Sequence, residues 1–189
     1  MKSFTCFKTT ILDLKEKAEK VLSSSPPKVF NCIQTNEINL LKPEYNPTYR
    51  MFLIWEPSNN PGVSVFSSNL KDGWYTFVNI LSTKYFLDSA SIRLSPSDDE
   101  YPICEFLTYT KGKRSRIVRV MKDDPRWEFY EEGKVYNFEE VENYTRRLKR
   151  QRFTQEMLTR YMKNLGWDIE DKDFYKTETF GLLFEETKP

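Results

Sequence analysis

Two groups of cationic side chains offer the clearest chemistry in this 189-residue protein. In the run Arg146–Arg152, which reads RRLKRQR, five of the seven residues are cationic. The second group lies within residues 111–119 and comprises Lys111, Lys113, Arg114, Arg116 and Arg119. Guanidinium groups bind carboxylates and phosphates through charge-assisted hydrogen bonds. Each group therefore predicts contact with a phosphate backbone, an anionic ligand or an acidic protein.

A more ordinary interpretation of residues 146–152 is a solvated helix end, because cations complement the dipole at a helix C-terminus. Glu139, Glu140 and Glu142 lie just upstream and would partly neutralise the run. We favour this interpretation over binding of a protein partner, and we favour binding of a protein partner over binding of nucleic acid. In the second group, if Arg114 and Arg116 share one face of a strand, Val118 and Val120 continue that face inward and a partly exposed end of the sheet is basic.

The overall charge argues against a general attraction to polyanions. The sequence has 29 basic and 28 acidic residues, a net charge of +1. Nucleic-acid-binding proteins usually present a broad basic surface with a net charge to match. Nucleic-acid binding through residues 111–119 and 146–152 therefore stays an alternative rather than the main prediction.

Histidine is absent from the sequence, which narrows the catalytic possibilities. Histidine is the side chain best suited to proton transfer near neutral pH and the commonest metal ligand. No glycine-rich nucleotide loop is present, and the acidic segment 168–173 lacks the glycine and distal glutamate of a calcium loop. We predict no metal and no cofactor. A carboxylate- or lysine-based enzyme acting on an anionic or phosphorylated substrate is the alternative.

The three cysteines and the absence of long apolar runs indicate the cellular compartment of the protein. Cys6, Cys32 and Cys104 are odd in number and form no C-x-x-C pair, which favours a reducing compartment. We expect Cys32 and Cys104 to be buried and inert, since both fall in predicted strands. No window approaches the roughly 18 apolar residues of a membrane span, and we see no secretion signal. We predict a cytoplasmic protein without membrane contact.

The elements that must position these groups follow from apolar periodicity and turn residues. Residues 9–22 predict an N-terminal helix capped by Thr10, and residues 1–27 a helical arm and linker attached to a single α+β domain, residues 28–189. Residues 50–56 and 63–67 predict a hairpin. A helix with Asp72 as its N-cap should follow it and end at Tyr85.

Antiparallel strands should then follow one another as a meander. The predicted strands are 90–94, 103–110, 113–121, one around 127–129 and a brief return at 134–136. Asn137 with Glu140 has the form of a capping box, which predicts a helix through Leu148. A second helix should start at Thr154 and form an αα-hairpin with the first, and residues 179–184 should add a last strand. The predicted fold is α+β, with an antiparallel sheet and a C-terminal αα-hairpin.

We predict that any binding site lies where the meander meets the helical hairpin. The candidate binding residues are Arg116, Arg119, Trp127, Arg146, Arg147, Arg150 and Trp167. The two tryptophans would line a groove as interface anchors. The predicted function is that of a non-catalytic protein-interaction module with a protein partner. In style, the sequence is similar to small histidine-poor immunity-type or regulatory proteins.

Overall fold

In the computed structural model, which describes residues 2–24, 29–96 and 98–187, nine strands form one sheet in which every neighbouring pair is antiparallel. The strands are β1 (Lys2–Phe7), β2 (Phe30–Thr35), β3 (Met51–Trp55), β4 (Ser64–Ser68), β5 (Ser89–Leu94), β6 (Ile103–Thr110), β7 (Lys113–Asp123), β8 (Arg126–Gly133) and β9 (Gly181–Glu186). Their spatial order is β2-β9-β3-β4-β1-β5-β6-β7-β8. The predicted α+β class with an antiparallel sheet is confirmed.

Helices cover both faces of this sheet. The α-helices are α1 (Ile11–Leu22), α2 (Tyr75–Lys84) and α3 (Gln155–Asn164). Short 3-10 helices cover Val141–Thr145, Lys149–Gln151 and Lys172–Tyr175. No helix among the described residues is both long and apolar enough to cross a lipid bilayer.

The first strand corrects the predicted N-terminus. β1 lies in the middle of the sheet, between β4 and β5, and α1 follows it. Because almost every residue of β1 is buried, on both faces of the sheet, the strand shows no alternation of apolar and polar residues. Phe7 ends this strand, two residues before the segment predicted as helix. The predicted boundary at residue 27 falls within residues 25–28, outside the described part of the protein.

Helix α1 begins as the sequence predicts. The Thr10 side chain accepts a hydrogen bond from the Asp13 amide at 3.3 Å, as an N-cap does. Ile11, Leu14 and Ala18 are buried in the protein's own core rather than free for another protein. With α2 they pack against side chains of β1, β3, β4 and β9.

The other helices match less closely. The N-cap of α2 is Trp74, with a φ of 57°, rather than Asp72, whose carboxylate instead accepts a hydrogen bond from the Trp74 amide at 2.9 Å. Helix α3 covers the opposite face of the sheet. The hydroxyl of its predicted cap, Thr154, accepts from the Met157 amide.

The predicted C-terminal αα-hairpin is wrong. Residues 137–148 contain only the short 3-10 helix Val141–Thr145, and Glu140 does not act in a capping box. The Glu140 carboxylate instead accepts from Arg160 on α3, at 2.6 and 2.8 Å. Long-range polar contacts therefore hold this segment in a shape that local sequence does not favour.

Most of the predicted strands are present in the structure. β3 and β4 form the predicted hairpin, and β5 to β8 form the predicted meander. β8 is one strand, however, and residues 134–136 form no strand of their own. The last strand, β9, is present and inserts between β2 and β3.

Candidate functional site

One region of the sheet is open on the face that carries α1 and α2. The cluster that those helices form with the sheet takes its strand residues from β1, β3, β4 and β9. On β6 and β7 a separate small cluster consists of Leu107, Tyr109 and Ile117, and it includes no helix residue among the described parts of the protein. These three residues are nevertheless buried, and the Tyr109 hydroxyl donates to Asn79 of α2 at 2.8 Å. The exposed part of the face is around Arg114, Arg119 and Tyr130. We call this face of β6, β7 and β8 the open face.

A row of polar side chains crosses the open face. Arg93 of β5 lies directly opposite Glu105 of β6, Glu105 opposite Arg119 of β7, and Arg119 opposite Tyr130 of β8. Residues directly opposite on antiparallel strands have neighbouring side chains. The strand register alone therefore places a cation, an anion, a cation and an aromatic ring side by side.

Arg93 and Glu105 form the anchored part of this row. The Arg93 guanidinium donates from Nε and Nη2 to the two Glu105 oxygens, each at 2.8 Å. Burial lowers the pKa of Arg93, but the hydrogen bonds and charge of Glu105 outweigh it and the net pKa is raised. Glu105 is buried, so Arg93 is the counter-ion that lets its carboxylate stay charged there.

Arg119 is much less well satisfied. Its Nη1 lies 3.5 Å from Glu105 Oε2, an oxygen that already accepts from Arg93. Its Nε is buried and has no hydrogen-bond partner among the described residues. Its guanidinium carbon lies 5.7 Å from the centre of the Tyr130 ring, within cation–π range. Arg119 thus carries donor capacity that its neighbours do not use.

A β-bulge brings a third arginine to the same face. Thr108 pairs with Arg116, but the next residue, Tyr109, pairs with Arg114, so Ser115 is an extra residue on β7. The extra residue reverses the alternation, and Arg114 joins Ile117 and Arg119 on the open face. The condition that Arg114 and Arg116 share a face is therefore not met.

These side chains line a cleft of about 490 Å³. The lining residues are Asp72, Tyr75, Arg93, Glu105, Arg114, Ile117, Arg119 and Tyr130. Three arginines face two carboxylates there, while Tyr75 at the start of α2, Tyr130 and Ile117 add aromatic and apolar surface. A second cleft, of about 470 Å³, shares Asp72 and Arg93 with it.

Of the carboxylates of the cleft, Glu105 is fully engaged in a structural contact and the exposed Asp72 is engaged through one oxygen. Both Glu105 oxygens accept from Arg93, and Asp72 Oδ1 accepts from the Trp74 amide. A general base needs an oxygen free to take a proton from its substrate. The arrangement is better suited to holding an anion than to moving a proton.

Arg116, a predicted binding residue, lies on the opposite face and is completely buried. It donates to Glu139 from Nε at 2.9 Å and from Nη2 at 2.7 Å, and it also contacts Glu131 and the Gly133 carbonyl. Burial lowers its pKa, but the two glutamates outweigh this and the net pKa is raised. Arg116 has no surface to offer a partner.

The predicted binding residues of the run 146–152 also lie away from the open face. Arg146, Arg147 and Arg150 are exposed in and beside the 3-10 helix Lys149–Gln151. This run is not the end of an α-helix, so the predicted dipole contact is absent there. It packs beside β8 on the α3 face, where Arg152 lies over the Phe129 ring. The two basic groups therefore do not form one patch.

The predicted tryptophan anchors are packing residues in this structure. Trp167 is buried in the core of the α3 face, and Trp127 is half-buried against the same core. The groove expected between meander and helical hairpin has no counterpart, because the hairpin itself does not form. Of the predicted binding residues, only Arg119 lies in the cleft.

Sequence reasoning missed Arg93, Glu105, Tyr75 and Tyr130. A signal for two of them was present, since Arg93 and Glu105 each interrupt a mostly apolar strand, SASIRL and ICEFLTYT. A charge within a buried strand calls for a partner. Which strand supplies it depends on the strand order, which the sequence does not state.

Within the described ranges there is no group of three or more cysteine, aspartate or glutamate side chains placed to hold a metal ion. Comparison with protein-family models, with curated proteins and with solved structures finds no match for this sequence. The geometry of the open face is therefore the basis for assigning a function.

Proposed function

We propose that this protein is a non-catalytic interaction module that binds an acidic segment of another protein through its open face. The observation that carries the proposal is the cleft in which Arg114 and Arg119 join the Arg93–Glu105 pair. Charged groups arranged against an opposite charge give an interface its specificity and association rate.

The balance of charge supports an acidic partner. Glu105 is committed to Arg93, so Arg119 is left with one long contact to the same carboxylate. Arg114 has a single ion pair, with Glu132 at 3.0 Å, and both side chains are largely exposed. Exposed pairs of this kind contribute little to stability and exchange readily for other partners.

The shape of the surface supports a protein partner. The cleft lies over the buried cluster of Leu107, Tyr109 and Ile117, and the rings of Tyr75 and Tyr130 are exposed beside it. Interfaces combine such aromatic and arginine side chains with a polar rim. By analogy, we place this protein with small histidine-poor immunity-type or regulatory proteins, which act through partner proteins.

The test compares variants of the open face with variants of the opposite basic run. Tagged full-length protein is purified from its native cells as wild type, as Arg114→Ala/Arg119→Gln and as the matched control Arg146→Ala/Arg147→Gln. We expect one stoichiometric partner with wild type and control, and its loss with the open-face variant. The partner's acidic segment, made as a peptide, should then bind the purified protein more weakly as salt rises.

The opposite pattern would overturn the proposal. If the control variant loses the partner and the open-face variant keeps it, residues 146–152 are the interface. If the purified acidic segment does not bind, co-purification was indirect and the proposal fails. Circular dichroism of each variant establishes that the fold is intact before either comparison is made.

Two other functions are kept as alternatives. An enzyme acting on an anionic substrate would need a free carboxylate or lysine in the cleft, where Glu105 is held by Arg93 and one oxygen of Asp72 by the Trp74 amide. Nucleic-acid binding through residues 111–119 and 146–152 would need a continuous basic surface, and these groups lie on opposite faces. We also propose the cytoplasm as the location, since Cys6, Cys32 and Cys104 are all unpaired thiols.

A further inference from the structure

We propose that the cleft holds a specific carboxylate-binding site, formed by the guanidinium groups of Arg119 and Arg114. The ligand group is a glutamate or aspartate side chain, or the C-terminal carboxylate, of the partner. This inference rests on the proposed function and names the chemical group that the open face recognises.

The first support is the unused donor of Arg119. A guanidinium group has five N–H donors in a fixed plane and no acceptor. Arg119 Nε is buried without a partner among the described residues, although the whole side chain is 32% exposed. Buried donors in native proteins are nearly always satisfied, because an unmet donor costs free energy. A carboxylate entering the cleft would supply the missing acceptor when the guanidinium group turns toward it, since Nε has no exposed surface in its present position.

The guanidinium group of Arg119 can also bind a ligand through two N–H donors at once. Its one protein acceptor lies 3.5 Å from Nη1, at the outer limit of a hydrogen bond. Nε and Nη2 form one edge of the guanidinium plane, which matches the two oxygens of a carboxylate. Glu105, buried beneath, fixes the arginine through charge without occupying that edge.

Arg114 is positioned to join the same ligand. The bulge at Ser115 turns it onto the open face, beside Ile117 and Arg119. Its present partner, Glu132, is 53% exposed and also accepts from Tyr130. Exchanging one exposed carboxylate for another costs little, so Arg114 can swing to an incoming ligand while Glu132 keeps Tyr130.

The count of charges favours a carboxylate over a phosphate. Three arginines and two carboxylates line the cleft, and once a ligand displaces Glu132 from Arg114, one positive charge of this lining has no carboxylate of its own. A carboxylate balances it, whereas a phosphate group with about two negative charges would leave an excess negative charge beside Glu105 and Asp72. Ile117 and the rings of Tyr75 and Tyr130 provide apolar surface for the stem of a glutamate side chain.

The experiment records the arginine Nε–Hε signals of full-length ¹⁵N-labelled protein by NMR. Four probes are titrated at constant ionic strength: acetylated tetraglutamate amide, tetraglutamine amide, sodium acetate and inorganic phosphate. We expect tetraglutamate and acetate to shift the Arg119 signal, and tetraglutamine to leave it unchanged. Phosphate should bind at least threefold more weakly than acetate.

Matched variants assign the effect. Arg119→Gln should weaken tetraglutamate binding at least tenfold, and Arg119→Lys should weaken it severalfold because the fork is lost while the charge remains. Arg146→Gln should bind as wild type does. Should Arg119→Gln fail to fold, Arg114→Ala at its exposed position still tests the site and should weaken binding severalfold.

Two results overturn the inference. If phosphate binds more tightly than acetate, the site is not a carboxylate site. If no probe shifts the Arg119 signal, there is no oxyanion site at all. In either case a partner that still needs Arg114 and Arg119 for co-purification would leave the proposed function standing, so the two failures are distinguishable.

Discussion

Arg116 and Glu139 form a completely buried ion pair that joins β7 to the irregular segment after β8. Their closest atoms, Nη2 and Oε2, are 2.7 Å apart, and neither side chain is exposed. Glu139 also accepts from the Tyr136 amide and from the Tyr144 hydroxyl, each at 2.8 Å. The pair therefore holds residues 136–144 in place where a helix was expected.

Removing one member of this pair should strongly destabilise the fold. We expect Arg116→Met to lower the free energy of unfolding by about 3–5 kcal/mol, because the Glu139 charge stays buried without its cation. Glu139→Gln should cost less, because Arg116 keeps its ion pair with Glu131. The double variant Arg116→Met/Glu139→Leu should recover much of the loss. Urea unfolding followed by tryptophan fluorescence measures all three.

The matched control is Arg147→Met, at an exposed position, which should leave the urea midpoint unchanged. If the single variants at the buried pair unfold at the wild-type midpoint, the pair does not hold the segment in place.

Gly133 should be required for the bulge that turns Arg114 onto the open face. Its φ is +98°, and an added Cβ would lie 2.1 Å from the Ser115 carbonyl oxygen. We expect Gly133→Ala to cost more than about 1 kcal/mol of stability and to weaken tetraglutamate binding by displacing Arg114. Urea unfolding and the NMR titration provide the two measurements.

Gly62→Ala is the control for backbone strain alone. Gly62 also has a positive φ, of +82°, but an added Cβ meets no atom within 4 Å. It should cost less stability than Gly133→Ala and leave binding unchanged. Equal effects of the two substitutions would mean that the close approach at Ser115 is not what matters.

The three thiols should differ sharply in reactivity. Cys6 and Cys104 are buried, and burial raises the pKa of each thiol. Cys32, which we expected to be buried, is exposed on the edge strand β2, because β2 has a sheet neighbour on one side only. Only the thiolate reacts with disulfide reagents, so one thiol per native molecule should react with Ellman's reagent at pH 8.

Unfolding in urea should raise that number to three, and Cys32→Ser should reduce the native value to zero. Burial also raises the pKa of Cys32 somewhat, so its reaction should be slower than that of free cysteine. Rapid reaction of a second thiol in the native protein would show that the core on the α3 face, which contains both Cys6 and Cys104, opens readily.

Glu186 should make part of the stability dependent on acid pH. Its carboxylate accepts from Arg50 Nε at 2.9 Å, from Arg50 Nη2 at 2.6 Å and from the Arg50 amide at 3.0 Å. Burial raises the pKa of Glu186, but these hydrogen bonds lower it by more, so the net pKa lies below the ordinary value of 4.5.

A carboxyl group whose pKa is lowered by folding stabilises the folded protein when the pH is above the ordinary, unfolded-state pKa. That stability is lost as the pH falls through the folded-state pKa. We expect Glu186→Gln to be less stable than wild type at pH 7 and the difference to shrink as pH falls below 4.5. Urea unfolding between pH 7 and pH 3 measures it. The exposed Glu178→Gln should show no such trend, and a pH-independent difference at Glu186 would contradict the prediction.

Local sequence determined most of the individual elements. The caps at Thr10 and Thr154, the β3–β4 hairpin and the meander from β5 to β8 all follow from residues close together in the sequence. Side chains within a few residues satisfy the backbone groups at a helix end, and short turns fix antiparallel neighbours. Composition also narrowed the chemistry, since a protein without histidine has few general bases to offer.

Tertiary structure decided where those elements lie and which charges meet. β1 enters the centre of the sheet and β9 inserts between β2 and β3, because buried strands pair with partners far away in the sequence. Arg119 was identified from sequence, but its neighbours Arg93 and Tyr130 come from two other strands. The register and the bulge at Ser115 bring Arg114 to that row and send Arg116 into the core. A one-residue shift in a strand exchanges its two faces, so sequence alone did not decide which arginine reaches the surface.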